Sequence, residues 1–373
     1  MKRLMILCFL CFIFVVSFSA DDGNKIYIGL SYPAFFDDEI EFGKGFELAI
    51  ETINHSGGIK GRELEAVFID DEAAVAEGMK VAHAFIQDKR ILTVIGHFNS
   101  RVAVVTSKIY NDAKMPFIAP CSTAPDLMRE DYTTVFRTIP DDKRVMAYLL
   151  NFLKGEGYEK IAVYYADDDF GKGVVKSVED SADVLGLEVV DRTTVINSAN
   201  IERVLSRWNA LDAEVLVVAE TYEWVKDIIK EIKKRNPKLL VVGTSSLDFP
   251  EYISYLGEYA EGTIIPTHYE LNKSTKLNMD FVEAFQEKYH SDPDMYAAIA
   301  YDTLMLFKEA AENTSALTKE QIVKALGEIR DKKCVTGTLS CENGEFIGDN
   351  ILLKMVINGE FVFVENIRSS DTY

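Results

Sequence analysis

The sequence predicts an α/β protein made of two doubly wound parallel-sheet lobes, and three observations carry that reading. From residue 26 onward, apolar β-rich runs alternate with amphipathic helical stretches, the order expected of parallel strands with helices on both faces. The runs are apolar nearly throughout instead of alternating with polar residues, as strands buried on both sides require. One short motif also recurs: "EFGKGFELAI" (41–50) follows the first strand and its loop, and "DFGKGVVKSV" (169–178) follows "KIAVYYAD" in the same relation. Two sheets, each opening with a strand, an acidic loop and a helix start, account for the repeat.

The amino terminus, "MKRLMILCFLCFIFVVSFSADDGNK", has basic Lys2 and Arg3, an apolar run from Leu4 to Val16, and small Ser17, Ser19 and Ala20 before "DDG". This reads as a secretory signal peptide over 1–20, too short for a comfortable membrane span. Neither Cys8 nor Cys11 follows the Leu-small-small triplet of a lipoprotein signal, so a soluble periplasmic or extracellular product is expected.

The first lobe takes strands at "IYIGL" (26–30), "LEAVFID" (64–70), "ILTVIG" (91–96) and "PFIAP" (116–120), with helices at "FELAIETIN" (46–54) and "AVAEGMKVAHAFIQD" (74–88). The second lobe starts after "FRTIPDDK" (136–143). Its strands fall at "KIAVYYA" (160–166), "LEVV" (187–190), "VLVVA" (215–219), "LLVVG" (239–243) and "GTIIP" (262–266), and its helices include "RVMAYLLNFLKGEG" (144–157) and "YEWVKDIIKEIKKRN" (222–236). After "IIPTHYE" (264–270) come two helical patterns, 277–290 and 295–314, without a strand between them. They need a sheet to cover and are assigned to the first lobe, so the chain crosses between lobes more than once. The expected division is 21–140 plus 270–350 for lobe 1, and 141–269 plus 351–373 for lobe 2.

The 373 residues are 48% hydrophobic with 9 Pro, enough for two full cores, and the formal charge of −20 argues against nucleic acid and anionic membrane as partners. Outside the signal, Cys121, Cys334 and Cys341 remain. Cys334 and Cys341 form a possible disulfide if Gly337 folds "CVTGTLSC" back on itself, whereas an extended segment holds them too far apart.

Catalytic readings find little support. Neither "GKG" element completes a dinucleotide or phosphate-loop pattern, the five His at 55, 83, 97, 268 and 290 lack ligand spacing, and no G-x-S-x-G elbow occurs. No enzyme activity, cofactor or metal site is expected. The acidic "ADDDFG" (166–171) reads as a solvated turn in which Asp168 or Asp169 caps the next helix. More telling is "VIGHFNSRVAVV" (94–105), where a buried strand gives way to a helix with Asn99 and Ser100 at its mouth. Free N–H groups and the positive end of the helix dipole meet there, and a hydroxyl completes an anion site. The turn "APCSTAPD" (119–126) ends the next strand of the same sheet.

The residues from 29 to 72, "GLSYPAFFDDEIEFGKGFELAIETINHSGGIKGRELEAVFIDDE", resemble the opening of the type I periplasmic solute-binding proteins of ABC transporters, in the leucine/isoleucine/valine-binding class. "VIGHFNS", "PFIAPCSTAPDL", "FRTIPDD", "YADDDFGKG", "AEGTIIP", "YAAIAYDTL" and "VTGTLSCENGEF" follow in that family's order and spacing. The resemblance implies two lobes joined by a three-strand hinge, with crossovers near 139–142, 266–270 and 350–356, and a ligand enclosed by hinge closure. It implies a binding function without chemistry, with a small-molecule ligand and a membrane permease as partners.

By the same resemblance, Ser100 and Thr123 bind the ligand's α-carboxylate together with nearby backbone N–H groups, although both residues also suit plain N-caps. Cys121 and Ser122 share the Thr123 turn. Phe170 matches an aromatic that packs on the ligand from the second lobe, Thr221 or Tyr222 matches a loop giving polar and aromatic contacts, and Glu220 beside them could meet an ammonium. Asp38 stands where a relative has an aromatic wall, and Tyr296 either reaches the cleft or packs within its lobe. One departure stands out: amino-acid-binding relatives place Asp or Glu in a "G-x-E/D-G" turn to pair with the α-ammonium, whereas this chain has "GTSSLDF", with Ser245 at the acidic position. Either Glu220 or Asp248 substitutes, or the ligand has no α-ammonium there. The expected function is the exported binding component of an ABC importer for an amino acid or related small carboxylate or amide. The alternative is a ligand-binding input module of a sensory or chemoreceptor system with the same fold.

Overall fold

The structure, a computed structural model, describes residues 23–249 and 251–365. The expected signal peptide lies outside the described residues. Strands β1 (Lys25–Ser31), β2 (Glu63–Phe68), β3 (Ile91–Gly96), β4 (Phe117–Ala119) and β5 (Val135–Arg137) build the first sheet, and β6 (Lys160–Tyr165), β7 (Glu188–Thr193), β8 (Val215–Ala219), β9 (Leu240–Gly243) and β10 (Ile264–Thr267) the second. Within each set the spatial order is second, first, third, fourth, fifth, and every pairing is parallel. This is the doubly wound order, repeated twice in one chain.

Helices α1 (Phe42–His55), α2 (Val75–Gln87), α3 (Ser100–Asp112), α4 (Asp142–Gly155), α5 (Asp169–Leu185), α6 (Ile201–Ala210), α7 (Tyr222–Arg235) and α8 (Tyr252–Leu256) connect these strands. α1 and α5 both begin at the repeated "FGKG" segment, each after the first strand of its sheet. On the second sheet, α4 and α5 bury Leu149 and Val178 against one face, and α6 and α7 bury Trp208 and Ile229 against the other. Burial of this kind is worth about 25 cal/mol per Å² of apolar surface and outweighs any helix propensity in these segments.

Three further helices, α9 (Lys276–Tyr289), α10 (Met295–Glu312) and α11 (Lys319–Glu328), follow β10. α10 is buried along most of its length and packs against α1. Gly45 makes that approach possible, because a Cβ there would lie 2.3 Å from the Ala297 carbonyl oxygen. Asp294 caps α10 through the Ala297 N–H at 2.7 Å and also accepts the Glu41 N–H at 2.9 Å, so one carboxylate fixes the starts of both helices.

The sequence reading lacks β5 and the last five strands, β11 (Lys332–Lys333), β12 (Thr338–Glu342), β13 (Glu345–Gly348), β14 (Leu352–Ile357) and β15 (Glu360–Phe363). β5 is only three residues long. β12 alternates, with Leu339 and Cys341 inward and polar residues between them, so it carries none of the continuous apolarity that marked the parallel strands. β11, β12 and β13 extend the first sheet beyond β5, and β14 and β15 extend the second beyond β10. The chain therefore passes from the first sheet to the second after Arg137, returns after Thr267, and passes again between Gly348 and Leu352.

The possible disulfide is corrected by this register. Lys333 pairs with Thr338 and Lys332 with Leu339 across an antiparallel hairpin. Cys341 is thus offset from Cys334 by four strand positions, about 13 Å at ~3.3 Å per residue, against a Cα separation limit of about 7 Å for a disulfide. Cys334, Cys341 and Cys121 are all free thiols.

Candidate ligand-binding site

In doubly wound sheets, ligands collect beyond the carboxyl ends of the strands where the strand order reverses. That point lies between β1 and β3 in the first lobe and between β6 and β8 in the second, and the two face each other. Between them is a cavity of about 80 Å³, walled by Ser100, Cys121 and Thr123 on one side and Asp168, Thr221 and Ser245 on the other. It shares Asn99, Arg101, Asp168 and Thr221 with a wider outer chamber of about 530 Å³.

The wall from the first lobe is tied together beneath its surface. Ser100, the first residue of α3, does not cap its own helix. Its Oγ instead accepts the Ser122 hydroxyl at 3.2 Å and the Ala124 N–H at 3.4 Å, joining the two turns. With its oxygen so engaged, the Ser100 hydroxyl proton is left to donate into the cavity. Arg137, 1% exposed, donates to the Ala124 carbonyl at 2.8 Å and pairs with Glu345, which anchors the second turn from below.

Behind the first turn, His97 Nδ1 contacts the Asp71 carboxylate at 2.6 Å and Nε2 lies 3.2 Å from the Tyr110 hydroxyl. The other Asp71 oxygen accepts the Ala73 N–H at 3.0 Å. Ala73 and Glu72 both sit at φ of 53°, a left-handed conformation uncommon for such residues. The turns at 71–73 and 97–101 are therefore pinned by one buried carboxylate. At the Thr123 turn, burial lifts the Asp142 carboxyl to about 7, while the Thr123 hydroxyl and Arg137 pull it down and Asp141 pushes it up.

The wall from the second lobe is less consolidated. Asp168 caps α5 through the Gly171 N–H at 3.0 Å, as its sequence context predicts. Thr221 stands at the N-cap of α7 without a side-chain capping bond, which leaves its hydroxyl to the cavity. Glu220 accepts the Thr221 N–H at 2.8 Å, and burial raises its carboxyl above the usual range. Ser246 donates to the Glu220 carbonyl at 2.8 Å, joining the loops after β8 and β9. The lobes touch across the base of the cleft, where Tyr296 donates to the Ser245 carbonyl at 3.3 Å and Gly173 faces Pro125.

Of the residues singled out from sequence, Asn99, Ser100, Cys121, Thr123, Phe170, Thr221, Ser245 and Tyr296 line the inner cavity, and Glu220 lines the outer chamber. Ser122 is fully buried behind Ser100 and supports it without reaching the cavity. Three further expectations need correction. Asp38 is exposed and lines neither space; the aromatic wall comes from its neighbours Phe35 and Phe36. Tyr222 is 1% exposed, turned into its own lobe, and stacks on Phe249 at 5.0 Å. Asp248 is also removed as an ammonium partner, because it pairs with Lys354.

The sequence reading lacks Phe98, Arg101, Ile139 and Ser246, and it treats Asp168 only as a cap. Phe98 and Arg101 flank residues that were found, and the geometry of a helix start, with its first turn open toward a ligand, was the available signal. Burial pushes the Cys121 thiol well above its ordinary range, so it borders the cavity as an unreactive small wall.

The described site can be set beside known proteins. Residues 37–359 match the family described as Periplasmic binding protein. The Leu/Ile/Val-binding protein homolog 1 of Brucella abortus (strain 2308) is 24% identical over 336 residues, covering 87% of this chain and 88% of that protein. Two solved structures of an ABC transporter substrate-binding protein from Desulfitobacterium hafniense, one of them in complex with Leu, are 32% and 31% identical. Each has a TM-score of 0.82 and covers 91% of this chain and 100% of its own.

Proposed function

The chain belongs to the periplasmic binding protein family, and from that membership we propose that it is the exported substrate-binding component of an ABC importer, enclosing an α-amino acid between its lobes. It is a binding protein of the leucine/isoleucine/valine-binding type and not an enzyme. The observation that carries the ligand class is the engagement of Ser100 Oγ as acceptor by Ser122 and Ala124, which leaves its proton free for a partner in the cavity beside the start of α3. A hydroxyl donor at a helix N-terminus, opposite a second hydroxyl at Thr123, suits a carboxylate. Across the cavity, the Asp168 carboxylate and the Thr221 hydroxyl offer an ammonium the negative partner that Ser245 does not supply. The two ends of an α-amino acid thus meet opposite lobes, and binding favours closure because each lobe alone satisfies only one end.

Thermal melting of the protein against amino acids, small carboxylates, amides and aromatic acids tests this. We expect a rise of several degrees with a subset of α-amino acids, lost in Ser100→Ala and in Thr123→Ala while their ligand-free melts stay close to the parent. A shift produced equally by the matching amides, or one that survives both substitutions, would overturn the carboxylate anchor.

A further inference from the structure

The outer chamber differs from the inner cavity in both size and chemistry. Its volume of about 530 Å³ exceeds what the head group of an amino acid needs, and it adjoins the inner cavity across the shared residues Asn99, Arg101, Asp168 and Thr221. Ring faces line it from both lobes. Phe35 and Trp224, on opposite lobes, are 50% and 77% exposed, and Phe36 packs on Phe98 at 4.5 Å beneath them.

Its carboxylates are engaged to different degrees. Asp168 is used by α5, Glu220 holds the Thr221 N–H and faces Arg101, and Glu223 pairs with Lys226. Glu72 is open to solvent, whereas Glu39 is half-buried, and its Oε2 is buried with no hydrogen-bond partner among the described residues, Lys226 acting on it through charge alone. Asn99 Oδ1, on the wall shared by both spaces, is in the same condition. Both atoms are acceptors, and an acceptor buried without a donor is costly. Only a donor relieves them, and beside a carboxylate and three ring faces the donor that gains most is a cation.

We propose that the cleft takes an α-amino acid whose side chain ends in an ammonium or guanidinium, held by Glu39 and Asn99 between the rings of Phe35, Phe36 and Trp224. The inference rests on the reading of the inner cavity as the seat of the α-carboxylate. The side chain leaves that seat past Asn99, its methylenes run along Phe36 and Phe98, and its charge arrives among the chamber's rings, where Glu39 turns its buried oxygen out to meet it. A neutral aliphatic side chain of equal length would reach the same place and leave both acceptors unmet.

Titration calorimetry with matched pairs decides it: lysine against norleucine, and arginine against citrulline, each pair nearly equal in shape and different in charge. Lysine should bind at least about tenfold more tightly than norleucine, and arginine than citrulline. In Glu39→Gln both ratios should fall toward one, and in Trp224→Leu, which removes only an exposed ring, they should fall by severalfold. Norleucine binding as tightly as lysine overturns the cationic tail and leaves the carboxylate anchor standing. Failure of all four, while some carboxylate without an α-ammonium binds, overturns the underlying amino-acid reading and this inference with it.

Discussion

The two walls of the cleft occupy the same topological position in two sheets of the same strand order, yet their polar groups are used differently. On the first lobe, Ser100, Ser122, Arg137, Asp71 and His97 are buried and hydrogen-bonded to one another or to the backbone of the binding turns. On the second, Thr221 has no capping bond, Glu220 is only partly buried, and the carbonyl of Ser245 is held by a residue of the other lobe. A wall fixed before the ligand arrives pays little ordering entropy on binding, and a wall completed by closure pays it then. We read the first lobe as the preformed seat and the second as the lid, an asymmetry that the shared strand order alone would not suggest.

The largest expected effect comes from loosening the preformed wall without touching the ligand. Asp71 lines neither space, but its carboxylate holds both His97 and the left-handed Ala73, and so positions Ser100 and Glu72 through their turns. Asp71→Asn keeps one acceptor but replaces the other carboxylate oxygen with an N–H donor, so either the Ala73 N–H or the His97 ring loses its acceptor. It should cost about 2 to 4 kcal/mol of stability in denaturant unfolding, since a buried polar group loses its partner. Affinity should drop by tenfold or more at temperatures where the variant remains folded. Retained affinity in a destabilised variant would mean that the seat does not depend on this carboxylate, and the contrast between the walls would collapse.

A smaller effect should follow from obstructing the lid. Gly173 of α5 faces the first lobe, and a Cβ there would meet Pro125 Cδ at 3.1 Å and Ala124 Cα at 3.8 Å. Gly173→Leu should leave the ligand-free melt unchanged or raise it slightly, because leucine gains up to about 1 kcal/mol over glycine inside a helix. Binding should weaken by about threefold to tenfold, mostly through faster ligand release, as closure is held off. Stopped-flow release measurements check this. If release is unaltered, the contact at Gly173 is not part of the closed state.

How much of this was legible in sequence follows from the same physics. Nine of the ten parallel strands, all but the three-residue β5, could be read, the inner ones because burial on both faces writes continuous apolar runs, and α10 because its length is almost wholly apolar. β11 to β15 could not, since these strands, joined to one another as antiparallel hairpins beyond β5 and β10, are short or mixed in composition and lack the doubly buried apolar run. Ser100 and Thr123 were findable because strand ends that open helices have a fixed chemistry. Asp38 was misplaced by a short shift within one loop, where Phe35 and Phe36 form the wall and the chain turns through a 3-10 helix at Ala34–Asp38. Tyr222 went astray because a helix start does not reveal which way its first side chain turns. Asp71, His97 and Arg137 carry no local pattern at all. Their roles arise from contacts between segments that only the folded sheet brings together.

The smallest expected effect concerns Asp142, the first residue of α4, whose carboxyl lies against the Thr123 turn. Burial holds its carboxyl at about 7, so it keeps a proton under conditions where an exposed aspartate has lost it. Protonated, it can donate to the Thr123 hydroxyl oxygen and leave the threonine proton for the ligand; ionised, it draws that proton to itself. Ligand affinity should therefore be level below about pH 6 and decline through pH 7 to 8, by a few-fold and by no more than about tenfold per unit. The same group acts on stability with a defined sign. Because its folded value lies above the unfolded value near 3.9, its contribution is present at low pH and is lost as pH rises from about 4 through 7. Asp142→Asn, whose amide donates to Thr123 at every pH, should flatten the affinity profile and reduce the loss of melting temperature between pH 5 and 8. An unchanged slope in that variant would place the titrating group elsewhere, and would make the first-lobe wall as insensitive to protons as it is to closure.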